Sequence, residues 1–126
     1  MTGDPMYYTL QTVTGEFLQA NLRVGSEEPA LLRIEERKIR IGTVYWNTRV
    51  IRHGELFLTA DFVRKEMQWR SEETEHCHWF ICHGAAGTVT IYTVHHRDEM
   101  HLSVAESESQ LILAISQPFE WILTRV

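Results

Sequence analysis

Histidine and cysteine cluster in the second half of the chain, as His76-Cys77-His78, Cys82-His83 and His95-His96. If Trp79 points into a core, strand alternation places Cys77 inward and both His76 and His78 outward on one face, where two imidazoles could chelate one metal ion. A third ligand would have to come from His83 or from the His95-His96 pair. Two exposed histidines at positions i and i+2 are more often solvated surface. The sequence therefore predicts no bound metal and no other cofactor, with His76, His78 and His83 as weak metal candidates.

Catalytic motifs are absent from the sequence. It contains no Gly-x-Ser-x-Gly elbow, no phosphate-binding glycine loop and no His-Glu-x-x-His helix. Acidic residues and histidines are abundant, but abundance alone gives no catalytic geometry. The sequence predicts that the protein is not an enzyme.

The charge balance excludes a general nucleic-acid binder, because 12 Lys and Arg face 17 Asp and Glu, for a formal net charge of −5. Protonation of all seven histidines, whose ordinary pKa is about 6.5, would bring the net charge to +2. No apolar stretch approaches the roughly 18 residues that a membrane span needs. There is also no charged and then apolar leader. We expect a cytoplasmic protein without membrane insertion.

The elements that must position these residues are strands. Apolar residues alternate with period two in the segments 89–93 and 111–116, where β-branched and aromatic residues dominate. Short turn sequences such as Thr14-Gly15-Glu16 and His53-Gly54-Glu55 fall between the apolar runs. A helix around Pro29 to Ile41 is the competing interpretation for one segment, since Glu27-Glu28-Pro29 could begin it.

One short pattern occurs three times along the chain. Phe17-Leu18-Gln19-Ala20-Asn21 recurs as Phe57-Leu58-Thr59-Ala60-Asp61 and more loosely around Leu102, so that the leucines lie 40 and 44 residues apart. A second set of apolar positions, Ile39, Trp79 and Trp121, has spacings of 40 and 42. Two independent sets of apolar positions with the same period of about 40 residues indicate internal repetition. A lipocalin-type up-and-down barrel has a similar length, but that fold gives no reason for such a repeat.

Three units of four short strands resemble the β-trefoil, an all-β fold in which six strands form a barrel and three hairpins cap it. The chain is then a single domain of residues 1–126, with repeats at about 6–43, 44–87 and 88–126 and a loose tail from Met1 to Pro5. Leu18, Leu58, Leu102, Ile39, Trp79 and Trp121 should fill the core. The predicted strands are Tyr7–Val13, Glu16–Leu22, Ala30–Glu35, Lys38–Thr43, Val44–Ile51, Glu55–Phe62, Lys65–Arg70, His76–Cys82, Thr88–Val94, Met100–Glu106, Gln110–Ser116 and Phe119–Arg125.

The middle repeat, with Asp61, Gln68-Trp69 and His76, resembles a compressed unit of the fungal ricin-B-like lectins. The resemblance implies that Asp61 accepts hydrogen bonds from sugar hydroxyls, Trp69 stacks on the pyranose and His76 donates, with Gln68 beside them. Carbohydrate suits such a set, because it offers C–H groups to an aromatic face and hydroxyls to a charged acceptor. The family's Gln-x-Trp signature is missing, and the other two repeats lack an aromatic residue at the position of Trp69. At most one sugar site is therefore expected, in a defence-type lectin.

Two other families of the same fold share sequence with this chain. Its opening Tyr8-Thr9-Leu10-Gln11-Thr12 and its closing Trp121-Ile122-Leu123-Thr124-Arg125 are similar to the ends of mushroom mycocypin-type protease inhibitors. An inhibitor would present an exposed loop, for which 14–16, 24–29 and 70–75 are candidates. The Leu18 and Leu58 strands are also similar to those of histidine-rich actin-binding trefoils, a third and weaker interpretation. The expected partner is a glycan or a target protease, with a homodimer also possible.

Overall fold

The computed structural model describes residues 6–126, and the predicted tail Met1–Pro5 lies outside them. The described residues are all-β, as predicted, with single-turn 3₁₀ helices at Glu75–Cys77 and Ala85–Gly87 and no α-helix. None of their helical turns has the length and apolarity needed to cross a bilayer. Their twelve strands are β1 (Tyr8–Thr12), β2 (Phe17–Leu18), β3 (Val24–Gly25), β4 (Arg33–Ile41), β5 (Val44–His53), β6 (Leu56–Asp61), β7 (Glu66–Arg70), β8 (Phe80–His83), β9 (Val89–His95), β10 (Asp98–Ala105), β11 (Gln110–Ile115) and β12 (Trp121–Arg125).

The strands form one curled antiparallel sheet in the order β3-β2-β1-β12-β9-β10-β11-β7-β6-β5-β4, with β8 paired to β9. The first and last strands are neighbours, from Tyr8↔Arg125 to Thr12↔Trp121. Isolated bridges add further closure at Tyr8↔Leu32, Arg23↔Gln110 and Arg49↔Trp79. The curl leaves few strand edges unpaired, which suits a small all-β chain.

The core is built from positions that recur along the chain. Leu18, Leu58 and Leu102 are fully buried, as are Trp79 and Trp121. Each of the two buried indoles donates its Nε1–H to a backbone carbonyl at 3.0 Å, Trp79 to Leu58 and Trp121 to Leu102. A buried tryptophan needs such a partner for its one polar group. The predicted core positions are therefore confirmed at these five residues.

The prediction is wrong for Ile39, which is only half-buried and lies on the long β4–β5 hairpin, opposite Trp46. Nine residue pairs join β4 to β5, from Arg33↔Arg52 to Ile41↔Val44. Gly42 opens the two-residue turn with a φ of +63°, a conformation that glycine adopts without strain. In the first part of the chain, Leu32 rather than Ile39 is fully buried, and it forms an isolated bridge with Tyr8.

Three other predictions for this part of the chain are corrected. The two strands expected at Ala30–Glu35 and Lys38–Thr43 are one continuous strand, the helix considered for Pro29 to Ile41 does not form, and the short strand β3 is absent from the prediction. On one face of β4, Glu35 pairs with Arg33 at 3.0 Å and with Arg37 at 3.3 Å. On β5, Arg52 reaches Glu35 at 3.2 Å. Charges that pair across a strand face stabilise it where few apolar residues do.

The predicted strand His76–Cys82 begins later than expected. Residues Glu75–Cys77 form a 3₁₀ turn, and the Thr74 hydroxyl accepts a hydrogen bond from the backbone N–H of His76 at 3.3 Å. The strand itself starts at Phe80. His76 and His78 therefore do not share one face of a strand, so the strand geometry considered for a two-histidine chelate does not occur.

Candidate functional site

A surface groove borders the 3₁₀ turn at residues 75–77. It consists of two adjoining hollows of about 510 and 690 Å³. The smaller hollow lies over the end of the β6–β7 hairpin, and the larger one runs toward the tip of β4. Both are lined by Phe62, Thr74, Glu75, His76 and His95. We call this continuous depression the groove.

Asp61 ends β6 and organises the polar part of the groove. Its Oδ1 accepts the backbone N–H groups of Val63 and Arg64, each at 3.1 Å, and so closes the turn toward β7. Aspartate favours such turns because its short carboxylate reaches the backbone two or three residues ahead. Its Oδ2 accepts from Gln68 Nε2 at 3.3 Å, and Gln68 Oε1 accepts from Arg70 Nε at 3.0 Å. Three polar side chains are thereby held in a row across the hairpin.

Aromatic rings also line the groove. Phe62 and His95 are stacked, with centroids 4.0 Å apart and ring planes 5° apart. His76 lies edge-on to Phe62, with centroids 5.0 Å apart, and its Nε2 is 3.3 Å from Glu75 Oε1. Desolvation and the neighbouring His96 and His76 lower the pKa of His95, while Asp98 opposes that shift. The stacked ring is therefore neutral at pH 7 and extends an uncharged aromatic surface.

The structure brings Asp61, Gln68 and His76 together along the groove but places Trp69 elsewhere. Trp69 is partly buried against the core, its Nε1–H donates to Ala20 O at 3.0 Å, and its ring lies 5.5 Å from His53. Gln68 and Trp69 are successive residues of β7, so their side chains leave the strand on opposite faces.

Sequence reasoning missed Phe62, Arg70 and His95 as residues of the groove. Arg70 could have been found, because strand alternation places it on the same face as Gln68. Phe62 directly follows Asp61 in the chain, which is a second available signal. His95 comes from β9, and nothing local in the sequence links it to Asp61.

Glu73 ties the edge of the groove to the long hairpin. Its carboxylate accepts from Arg37 Nε at 3.1 and 3.0 Å, and it lies 3.0 Å from His78 Nε2. The hydrogen bond from Arg37 lowers the pKa of Glu73, against the opposing effect of desolvation. His78 is thus engaged with Glu73, and both side chains line the larger hollow.

The histidines and cysteines do not form a metal centre. Among residues 6–126, no three His, Cys, Asp or Glu side chains are arranged to hold a metal ion, so the weak candidates His76, His78 and His83 do not converge. Cys77 is buried, and its Sγ–H donates to Thr74 O at 3.1 Å. Burial raises the pKa of the Cys77 thiol, which leaves it unreactive. Cys82 is exposed, and both cysteines are free.

No protein-family model matches the sequence, and no curated protein matches it significantly.

Proposed function

We propose that the chain is a non-enzymatic, carbohydrate-binding protein with a β-trefoil fold. Three pairings at similar intervals support the trefoil: Tyr8↔Leu32, Arg49↔Trp79 and Val89↔Trp121. In the second and third pairings, the first strand of a predicted repeat meets the strand that closes it; in the first pairing, Tyr8 meets Leu32, which lies in the predicted third strand.

The turns of three hairpins recur in the same way. The left-handed residues Leu22, Lys65 and Ser109, with φ of 62°, 56° and 54°, lie 43 and 44 residues apart. Each of them precedes the second strand of its hairpin, which is β3, β7 or β11. Together with the equivalent indole bonds of Trp79 and Trp121, these positions support three copies of one module around a shared core.

The observation that carries the binding proposal is that the row of Asp61, Gln68 and Arg70 lines the same hollow as the stacked Phe62 and His95 rings. A carboxylate offers about four acceptor positions, of which Asp61 uses three within the protein, so one remains for a ligand hydroxyl. The guanidinium of Arg70 adds donors, and the groove is open and shallow. An apolar surface beside charged hydrogen-bonding groups is the arrangement that a pyranose ring requires.

The proposed sugar site differs from the lectin resemblance in its aromatic platform. Phe62, stacked on His95, takes the role that the resemblance gave to Trp69, because Trp69 does not line the groove. Asp61, Gln68 and His76 keep the roles expected of them. The proposal thus keeps one site, in the middle repeat.

Binding to a glycan array, followed by calorimetric titration of the best ligand, tests this function. Gln68→Ala breaks the row of polar groups and should weaken binding about tenfold or more, in line with the loss of one hydrogen bond to a charged group. Trp69→Phe, on the neighbouring residue of the same strand, is the matched control and should bind as the wild type does. Absence of glycan binding by the wild type, or equal loss in both variants, would contradict the proposal.

Protease inhibition is the second candidate, and one observation favours it. The tip of the β4–β5 hairpin, Ile41-Gly42-Thr43-Val44, is exposed and is held by a nine-pair ladder, so it offers a pre-organised projection to a protease cleft. An inhibitor acting through this tip would titrate a papain-like or trypsin-like protease stoichiometrically and would be unaffected by Gln68→Ala. Lack of inhibition at micromolar concentration would remove this candidate.

A further inference from the structure

Strand β4 lies at one end of the sheet order, with β5 as its only neighbour along the path. The direction of its backbone groups follows from the contacts around it. Arg49 of β5 exchanges both of its backbone hydrogen bonds with Trp79, on the side of β5 that faces away from β4. Arg49 is paired in register with Glu36, so Glu36 is in a non-hydrogen-bonded position and directs its own N–H and C=O away from β5.

Strand alternation gives Lys38 and Arg40 the same outward direction. Leu32 lies on this edge too and shows how it can be used, because it exchanges both backbone hydrogen bonds with Tyr8 at 2.8 Å. Beyond that bridge, within the described part of the chain, neither Lys38 nor Arg40 makes a backbone hydrogen bond on this edge. The C=O of Glu36 accepts from Arg37 Nη1 at 3.0 Å. The distal half of β4 is therefore a sheet edge open to an added strand.

The charges along the edge determine which strand can be added. The positions whose backbone groups face the edge carry Glu36, Lys38 and Arg40, and all three side chains are exposed. Glu36 also lies 3.5 Å from Arg49 of β5, but its side chain remains open to solvent. When an acidic residue is followed two positions later by a basic one, two copies of the strand can pair in antiparallel orientation about a twofold axis at the residue between them. The acidic side chain of each copy then lies opposite the basic side chain of the other. A strand of mixed sign thus fits a second copy of itself.

We propose that two copies of the chain associate by adding β4 to β4 in antiparallel orientation, about a twofold axis at Arg37. In this register Glu36 of one copy lies opposite the partner's Lys38, and Lys38 lies opposite the partner's Glu36. Both are hydrogen-bonded pairs, each of which exchanges two backbone hydrogen bonds. The two curled sheets then continue across the interface.

The neighbouring registers are less favourable for electrostatic reasons. A shift of the axis to Glu36 sets Glu36 against itself. A shift to Lys38 sets Glu36 opposite the partner's Arg40, but it also sets Lys38, which has no ion pair among the described residues, against itself. Like charges directly opposite each other are destabilising. At the proposed axis the two Arg37 side chains are opposite one another. Each Arg37 is already neutralised within its own copy by Glu35 and Glu73 at 3.3 and 3.0 Å.

Sedimentation equilibrium of the purified full-length chain, with paired charge reversals, tests the interface. Glu36→Lys sets like charges opposite each other at both symmetry-related positions, and Lys38→Glu does the same with the opposite sign. Each single variant should raise the dimer dissociation constant about tenfold or more. The double variant restores opposite charges and should return the constant to within a few fold of the wild type.

Two further measurements distinguish the proposed register from a shifted strand pairing and from association through another surface. Arg40→Glu reverses a charge on the same edge. In the proposed register Arg40 lies opposite the partner's Ile34, which is uncharged, so this variant should leave the dimer dissociation constant nearly unchanged. Amide exchange at Lys38 should slow as protein concentration rises, since only the dimer pairs that N–H.

Four results would overturn the proposal. The first is a wild type that stays monomeric up to about 100 µM, well within the range of weak strand-mediated association. The second is that neither single charge reversal changes the dimer dissociation constant, and the third is that Arg40→Glu dissociates the dimer. The fourth is a monomer in which the Lys38 amide is already protected from exchange. The last result would assign the edge to another segment of the same chain. Circular dichroism of each variant establishes that its fold is intact.

Discussion

The equivalent indole hydrogen bonds lead to a quantitative prediction. Trp79→Phe and Trp121→Phe each remove an Nε1–H that bonds a buried carbonyl at 3.0 Å, at Leu58 and Leu102 respectively. A buried acceptor without a partner costs about 1–3 kcal/mol. The smaller phenyl ring leaves a void worth about 1 kcal/mol at the roughly 24 cal/mol per Å³ typical of core cavities. Each variant should therefore lose about 2–4 kcal/mol of unfolding free energy.

The assay is guanidinium unfolding followed by far-ultraviolet circular dichroism, which does not depend on the tryptophan that is removed. Trp46→Phe is the matched control. Trp46 is 44% exposed and its ring meets Phe80 edge-on at 6.0 Å. Its replacement should cost less than about 1 kcal/mol.

Because Trp79 and Trp121 make the same contact, their losses should agree within about 1 kcal/mol, which is less than the roughly 2 kcal/mol by which one substitution differs among unrelated core sites. A Trp79→Phe variant as stable as Trp46→Phe would refute the importance of the indole bond. A difference of several kcal/mol between Trp79→Phe and Trp121→Phe would refute the equivalence of the two sites, and with it the main packing argument for three modules.

Three other perturbations have defined outcomes. Arg37 lowers the pKa of Glu73 below its ordinary 4.5, so the ionised Glu73 stabilises the fold above pH 4.5, and this stabilisation is lost as the pH falls through the lower folded-state pKa. Glu73→Gln should therefore lower the unfolding free energy at neutral pH and make it less dependent on acid pH, as measured by urea unfolding at several pH values. The pKa of His95 is lowered from 6.5, so protonation of His95 opposes folding as the pH falls below 6.5. His95→Asn should make the unfolding free energy less dependent on pH between about 7 and 5. An unchanged pH dependence would contradict the cause assigned to the lowered pKa. Gly42→Ala meets no atom within 4 Å but must adopt a φ of +63°, so a melting experiment should show a loss of about 1 kcal/mol that arises from the backbone alone.

The last third of the chain can be predicted well from sequence. Its strands are expected at Thr88–Val94, Met100–Glu106, Gln110–Ser116 and Phe119–Arg125, and each observed strand agrees within two residues at either end. Apolar residues alternate cleanly there, and alternation is the strongest local signal of a half-buried strand.

The first third is predicted less well, because its longest strand is held by charge. In β4, the residues Arg33, Glu35 and Arg37 share one face and pair with one another and with Arg52. The pattern has period two, but in charge rather than in hydrophobicity, so the run Glu35-Glu36-Arg37-Lys38 resembles a break between two strands. Hydrophobic periodicity cannot detect a strand of this kind.

The candidate site is predicted in part for a similar reason. Asp61, Gln68 and His76 lie near one another in sequence and in space, which local patterns can capture. The lectin resemblance groups Trp69 with them, although its adjacency to Gln68 already implies the opposite face. The approach of His95 depends on how β9 packs beside the 75–77 turn, and that is set by the fold as a whole.

The pairing of β1 with β12 also determines how this protein would respond to force. Tyr8 lies opposite Arg125, and the N–H of Val126 bonds Tyr7 O at 2.8 Å, so both ends of the described chain leave the same end of one strand pair. Tension applied to the two ends would load these hydrogen bonds one after another, as in a zipper, rather than all together in shear. The β1–β12 pairing is therefore the first that such tension would open, and linking the two ends there would protect it while new ends are opened at an exposed turn.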